Sequence, residues 1–258
     1  MSVRDRLSRL PPTPGEWTLR AGAVLFALVV WQAVAGPAGL LVAPPTAVAA
    51  ALVEGLVTGG ALRGALAGAM VHAVAGYLLA VAVGVPLGAA MGASDRLGAA
   101  LDPVVDALYA TPVVALAPLF IVWFGLSDTG KVALVFAFAV FVVLVNTEAG
   151  VSDTPEGLVR AARAYGLSGV GLYRVHLRSA LPQVATGLRL GAGRAVRGAV
   201  AAELFLFAGD LGQYLIDAGA TFQVARLLAG VVALSALGVL ALAVVGLFER
   251  AVTPPRGT

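Results

Sequence analysis

Between Gly64 and Ser94 the chain contains no Asp, Glu, Lys or Arg. A bilayer crossing needs only about 20 apolar residues in a helix, so this run is more than long enough to span. Other candidate spans follow at Ala107–Ser127, at Val132–Thr147, which is somewhat short, at Val184–Phe207, which carries charges, and at Leu227–Phe248. A further one, Ala21–Gly36, lies behind Arg4, Arg6, Arg9 and Arg20. It has the flanks of a signal peptide but lacks a convincing cleavage site, so it reads as the first transmembrane helix. The predicted fold is therefore all-α: a polytopic membrane protein with six transmembrane helices, forming a single transmembrane domain over 1–258.

Composition supports this reading. Only 12% of residues are charged against 60% hydrophobic, and mean hydropathy is +0.95. A soluble domain of this size needs far more charge to cover its surface. The chain has no cysteine, which excludes disulfides, thiol catalysis and cysteine metal sites. His72 and His176 stand far apart, so no metal cluster is expected. The net charge of +3 does not point to nucleic acid, because the basic residues follow a membrane pattern. With the N-terminus inside and the spans alternating, 14 of the 17 basic residues fall near inner ends, leaving Arg63, Lys131 and Arg226 outside. That bias sets the orientation. It places both termini, an N-terminal tail at 1–20 and a loop at 148–182 in the cytoplasm. The Pro-rich "GPAGLLVAPPTA" leads to a short helix near Val48–Val57 at the outer interface. Glycines spaced by four (Gly84, Gly88 and Gly92; Gly64 and Gly68; Gly187 and Gly191) are candidates for close helix packing in lipid.

The loop interrupts the apolar pattern with "RAARAYGLSGVGLYRVHLRSALP", Arg160 to Pro182. Glu156–Tyr165 is predicted to be helical, with Thr154 as candidate cap and Pro155 in the first turn. Gly166 breaks that helix. Ser168 is positioned to cap a second short helix through about Leu177, and Pro182 marks the return to the membrane. Tyr165, Leu167, Val170 and Tyr173 would form an apolar surface ringed by Arg163, Arg174 and Arg178. The residues alone fit two roles: an amphipathic segment resting on anionic lipid, or a docking knob for a cytoplasmic partner.

This stretch resembles the EAA loop of permease subunits of bacterial ABC importers. Ala161 and Ala162, then Gly166 in register, then Ala180-Leu181-Pro182 carry the likeness; Arg160 stands where the family usually has Glu, and Arg178 where many members have an earlier Pro. The resemblance extends over roughly Leu41 to Arg250, through "APPTAVAAAL", "LDPVVDALYATPVVALAPLFIVWFGLSDTGK", "VNTEAGV" and "AAELFLFAGDLGQYL". In that order these segments are similar to the nitrate/sulfonate/taurine branch. The resemblance implies a type I ABC importer fold in the bacterial plasma (inner) membrane, working as a homodimer with two ATP-binding cassette subunits below and a solute-binding protein outside. It also implies a coupling helix, carried over onto Ala161, Ala162, Gly166, Leu167, Ser168, Val170, Tyr173, Arg174, Leu177, Leu181 and Pro182. ATP and Mg would sit on the partner ATPase, since no Walker A pattern occurs here and the chain itself calls for no cofactor. It is expected to be a transport subunit, not an enzyme. The solute would be a small anion such as a sulfonate, taurine or nitrate, with thiamine-precursor pyrimidines or other neutral or cationic compounds as alternatives.

Four charged residues fall inside the fifth predicted span: Arg189, Arg194, Arg197 and Glu203. Buried charge is expensive in a membrane. At about 100° per residue, with Arg189 at zero, Arg197 falls near 80°, Arg194 near 140° and Glu203 near −40°. Two explanations stand side by side: arginines that snorkel or pair, or a positive lining of a translocation path. Glu203 reads as structural and His72 as a packing residue. An ion-coupled secondary transporter is the other class of function; it would show intramembrane acidic residues and inverted repeats, and only one deep carboxylate and no repeat are visible. No cluster suited to membrane-enzyme chemistry is present.

Overall fold

The computed structural model describes residues 14–35, 42–206 and 209–252. Among these residues the structure is helical throughout, with no strand. The helices are α1 (Pro14–Ala35), α2 (Pro45–Val53, running into a π-helical turn at Glu54–Thr58), α3 (Ala61–Gly92), α4 (Asp95–Ala110) and α5 (Ala117–Phe124). They continue with α6 (Asp128–Ser152), α7 (Glu156–Ala164), α8 (Val170–Phe205), α9 (Asp210–Ala220) and α10 (Val224–Val252). The N-terminal arginines Arg4, Arg6 and Arg9, Gly36, Phe207 and Arg256 lie outside the described residues.

The body is a three-helix stack of α3, α6 and α8, and small residues decide its geometry. Gly76, Gly84, Gly88 and Gly92 lie in turn against Val135, Val143, Leu144 and Val151, so α3 and α6 run parallel. A methyl group on Gly88 would collide with the Leu144 carbonyl. On an adjoining face of α6, Gly187, Gly191 and Gly198 pack on Asn146, Val143 and Phe138, so α8 runs antiparallel. Leu134, Val135, Ala139, Ala195, Ala199 and Ala202 fill the seam. In lipid this contact rests on close van der Waals packing, which small residues make possible. Gly64 differs from Gly84, Gly88, Gly92, Gly187 and Gly191: a side chain there would meet nothing within 4 Å.

Among the described residues, four helices are long and apolar enough to cross a membrane: Thr18–Ala35, Ala61–Gly92, Asp128–Ser152 and Val224–Ala241. A bent pair, Asp95–Ala110 with Val113–Phe124, makes a fifth if it is one crossing. The expected six is not reached on these criteria, because α8 is long enough but rich in arginine. The stretch expected as one span at Ala107–Ser127 is broken near its start: Asp95–Ala110 and Val113–Phe124 meet at 85°. The cause is local. Thr111 precedes Pro112 and is held extended at φ −70°, ψ 130°, as the residue before a proline tends to be.

Three expectations for the loop also change. Pro155, not Thr154, occupies the N-cap of α7, at φ −56°, ψ 126°. The Thr154 hydroxyl is buried and does not cap. Gly169, not Ser168, precedes α8 in the N-cap position, with no side-chain cap bond. Finally, α8 does not stop at Leu177; it is continuous from Val170 through Pro182 to Phe205. A proline removes one backbone donor, and helix packing in a bundle can absorb that loss.

Candidate functional site

The α7–α8 junction is a projection built on one turn. Leu167 N–H donates to the Ala162 carbonyl at 3.0 Å and Gly166 N–H to the Arg163 carbonyl at 2.9 Å. These two bonds close the end of α7 as a Schellman motif, which needs a left-handed residue where Gly166 sits at φ +80°. The paired Ala161-Ala162 and the glycine four residues on therefore follow from helix termination. Ala162 is buried, while Ala161, Gly166 and Ser168 are exposed. Tyr165 is 88% exposed and Val170 69%, with Leu167 also exposed between them. Tyr173 leaves this surface: together with Leu177 it packs on Ala89, Val151, Ala180 and Val184. Arg174 and Leu181 are exposed, and Pro182 is half-buried within α8. Glu156 and Arg160 form an exposed pair across one turn of α7 at 3.8 Å, a geometry that contributes little to stability.

Of the charged residues on α8, the structure separates the arginines from the carboxylate. Arg189, Arg194 and Arg197 are exposed, whereas Glu203 is 1% exposed. Arg194 stands over the Tyr109 ring at 6.0 Å. Both line a cavity of about 290 Å³ with Thr111, Pro112, Phe138 and Phe141. This cavity opens at the α4–α5 break. Phe138 and Phe141 lie 10 to 13 residues along α6, about 15–20 Å from its start, so the cavity sits about halfway along that helix. A cation against an aromatic face, beside an interrupted helix, is suited to holding a small anion. A larger cavity of about 640 Å³ lies between α2 and the α9–α10 turn. There Arg226 stacks on Tyr214 at 4.7 Å.

Glu203 belongs to a cluster that the sequence reading did not assemble. Lys131 Nζ donates to both Glu203 carboxylate oxygens at 3.0 Å. Lys131 is 0% exposed, although charge placement had assigned it to an external loop. His72 Nδ1 lies 3.3 Å from Glu203 Oε1, and its Nε2 lies 3.3 Å from Asp128 Oδ1. Gly212 N–H also donates to Glu203 Oε2 at 3.2 Å. His72 and Glu203 are thus both buried and partnered. The signal for Lys131 was available. It shares the i, i+3, i+4, i+8 stripe of Leu134, Val135 and Ala139, the face of α6 that turns inward. Among the described residues no group of His, Cys, Asp and Glu is arranged to hold a metal.

Comparison with known proteins agrees with this architecture. The profile of the family described as binding-protein-dependent transport system inner membrane component matches residues 80–254. The taurine transport system permease protein of Escherichia coli is 32% identical over 158 residues, covering 61% of this chain and 58% of that protein. A putative aliphatic sulfonates transport permease protein of Bacillus subtilis is 34% identical over 158 residues, 61% of this chain and 57% of the relative. The formylaminopyrimidine transport permease protein of Halalkalibacterium halodurans is 32% identical over 164 residues, 63% and 66%. The matched segments thus span less than two thirds of each of these relatives. With more than half of its length matched by the family profile, this multi-helix membrane chain belongs to the family of binding-protein-dependent transport system inner membrane components.

Proposed function

We propose that the chain is the permease subunit of an ATP-driven ABC importer in the plasma (inner) membrane, with both termini cytoplasmic. It pairs with a second copy, docks two ATP-binding cassette subunits on the α7–α8 projections, and receives solute from a binding protein on the opposite face. The projection carries this reading. A tightly turned, exposed apolar tip of Tyr165, Leu167 and Val170, ringed by arginines, is hard to reconcile with a bare loop and suits insertion into a protein cleft. ATP and Mg would reside on the partner, which would supply the energy. Nucleotide-driven closure of the partners would move the projections and, with them, the membrane helices.

The solute proposed is a small anion such as a sulfonate, taurine or nitrate. Arg194 over Tyr109 in the cavity at the α4–α5 break supports it, with Arg189 and Arg197 on neighbouring exposed positions of α8. The formylaminopyrimidine relative supports a second reading, a neutral or cationic ring compound against the same aromatic wall. The test is uptake by proteoliposomes holding the chain, its ATPase partner and its binding protein. Uptake is expected to require ATP. Arg194→Gln is expected to slow anion uptake by about 10–100-fold, the worth of one charged hydrogen bond. ATP-independent uptake driven by an ion gradient would overturn the importer reading. An unaffected rate in Arg194→Gln would overturn the anion assignment alone.

A further inference from the structure

The buried Lys131–Glu203 pair lies at the opposite end of the molecule from the projection, and α8 joins the two. From Val170 to Glu203 the helix is unbroken, a rod of about 50 Å. At its far end four elements meet on one carboxylate. Lys131 comes from the first turn of α6, His72 from α3 and the Gly212 N–H from the first turn of α9, while Glu203 itself is on α8. The backbone of α9 rests directly on that of α8: a methyl group on Gly212 would overlap the Glu203 carbonyl. One turn on, Leu206 is fully buried against Gly130 of α6. α9 then runs across the bundle, where Leu211, Tyr214 and Leu215 pack on Leu62, Ala65 and Ala69 of α3 and Ala233 of α10.

A carboxylate and an ammonium buried this completely cannot separate without stranding a charge in a medium that does not solvate it. The contact is therefore a joint that stays closed. We propose that Glu203 is a positioning residue for transport: it fixes the far end of α8 to the first turns of α6 and α9, so that a displacement of the projection arrives as a displacement of α9 and the helices it crosses. This rests on the importer reading above. Without the joint, α8 would move while α9 stayed behind, and nucleotide hydrolysis would no longer open the opposite face.

The experiment compares solute moved per ATP hydrolysed in proteoliposomes containing the full complex, with thermal melting as the folding control. In Lys131→Gln/Glu203→Gln both members of the pair are neutral, and the two amides can still hydrogen-bond. This variant is expected to assemble and to hydrolyse ATP, with the solute-to-ATP ratio lowered about tenfold or more, within the range of measured coupling energies. Gly212→Ala keeps every charge but lifts α9 from the Glu203 backbone, and is expected to lower the same ratio. An unchanged ratio in the assembled double variant, or transport and hydrolysis falling together, would show a purely structural pair and overturn the proposal. If the double variant does not assemble, Gly212→Ala decides alone, an unchanged ratio again being fatal. Absence of ATP-driven uptake in the unmodified complex would instead refute the importer reading, before any variant is compared.

Discussion

Gly166 shows how one residue type fixes a local shape. Its φ of +80° is open to glycine and costly for residues with a Cβ, although the space around it is empty. Gly166→Ala is therefore expected to cost about 1–2 kcal/mol through backbone strain alone. Hydrogen exchange should find it: the Leu167 amide, bonded to the Ala162 carbonyl, should exchange faster while amides in α6 keep their protection. Lys131 and Glu203 make the complementary point. Each reads in the sequence as an isolated charge, and only their meeting at 3.0 Å explains how both can be nearly inaccessible to solvent. The helical wheel already placed Glu203 near −40°, beside Ala199 at about −80° and Ala195 at about −120°. That is the small-residue arc facing α6, whereas the arginines occupy the other arc. The carboxylate and the arginines were legible as neighbours on one helix but not as residents of two different environments.

Among the elements, the α3–α6 seam is the most demanding. Gly84, Gly88 and Gly92 leave no room for a side chain: a Cβ at Gly84 would lie 3.0 Å from the Val140 carbonyl, and one at Gly92 would lie 2.5 Å from the Glu148 carbonyl. Gly88→Ala should destabilise the purified chain by about 1–3 kcal/mol, as overpacking commonly does. Gly64→Ala, which meets open space, should leave the melting temperature unchanged or slightly raised. Equal melting of the two variants would show that the spacing of four carries no packing information. The glycine triple was readable from its period, but the openness of Gly64 was not, since spacing identifies a face without saying whether another helix covers it. Proline gave similarly mixed signals. Pro112 lies at an 85° bend between two helices, whereas Pro182 lies inside a continuous helix of 36 residues. The difference lies in what surrounds each one. Pro112 follows an extended Thr111 and precedes a 3-10 turn at Val113–Leu116. Pro182 sits between Ala180 and Val184, both buried against Ala89 and Val151, and that packing holds the helix together.

For the whole molecule, charge placement and packing make one consistent statement. Parallel α3 and α6, with α8 antiparallel to both, require an odd number of crossings between α3 and α6 (the bent α4–α5 pair, as one crossing, supplies the return). The positive-inside rule then predicts that the Arg63 end faces outward and the Arg163 end inward. Because the sequence has no cysteine, a single introduced one reports its own side. Arg63→Cys is expected to react with an impermeant maleimide in intact cells, and Arg163→Cys only after permeabilisation; the reverse pattern would invert the assignment. The sequence by itself determined the class of molecule, because long uncharged runs and few charges leave little choice of solvent. It also determined the projection, since a helix-ending glycine acts within a few residues of itself. Only the tertiary structure decided which charges are buried, which glycines are covered and which proline breaks a helix. Those outcomes depend on partners 72 and 131 residues away in the chain, and local pattern carries no information about contacts at that separation.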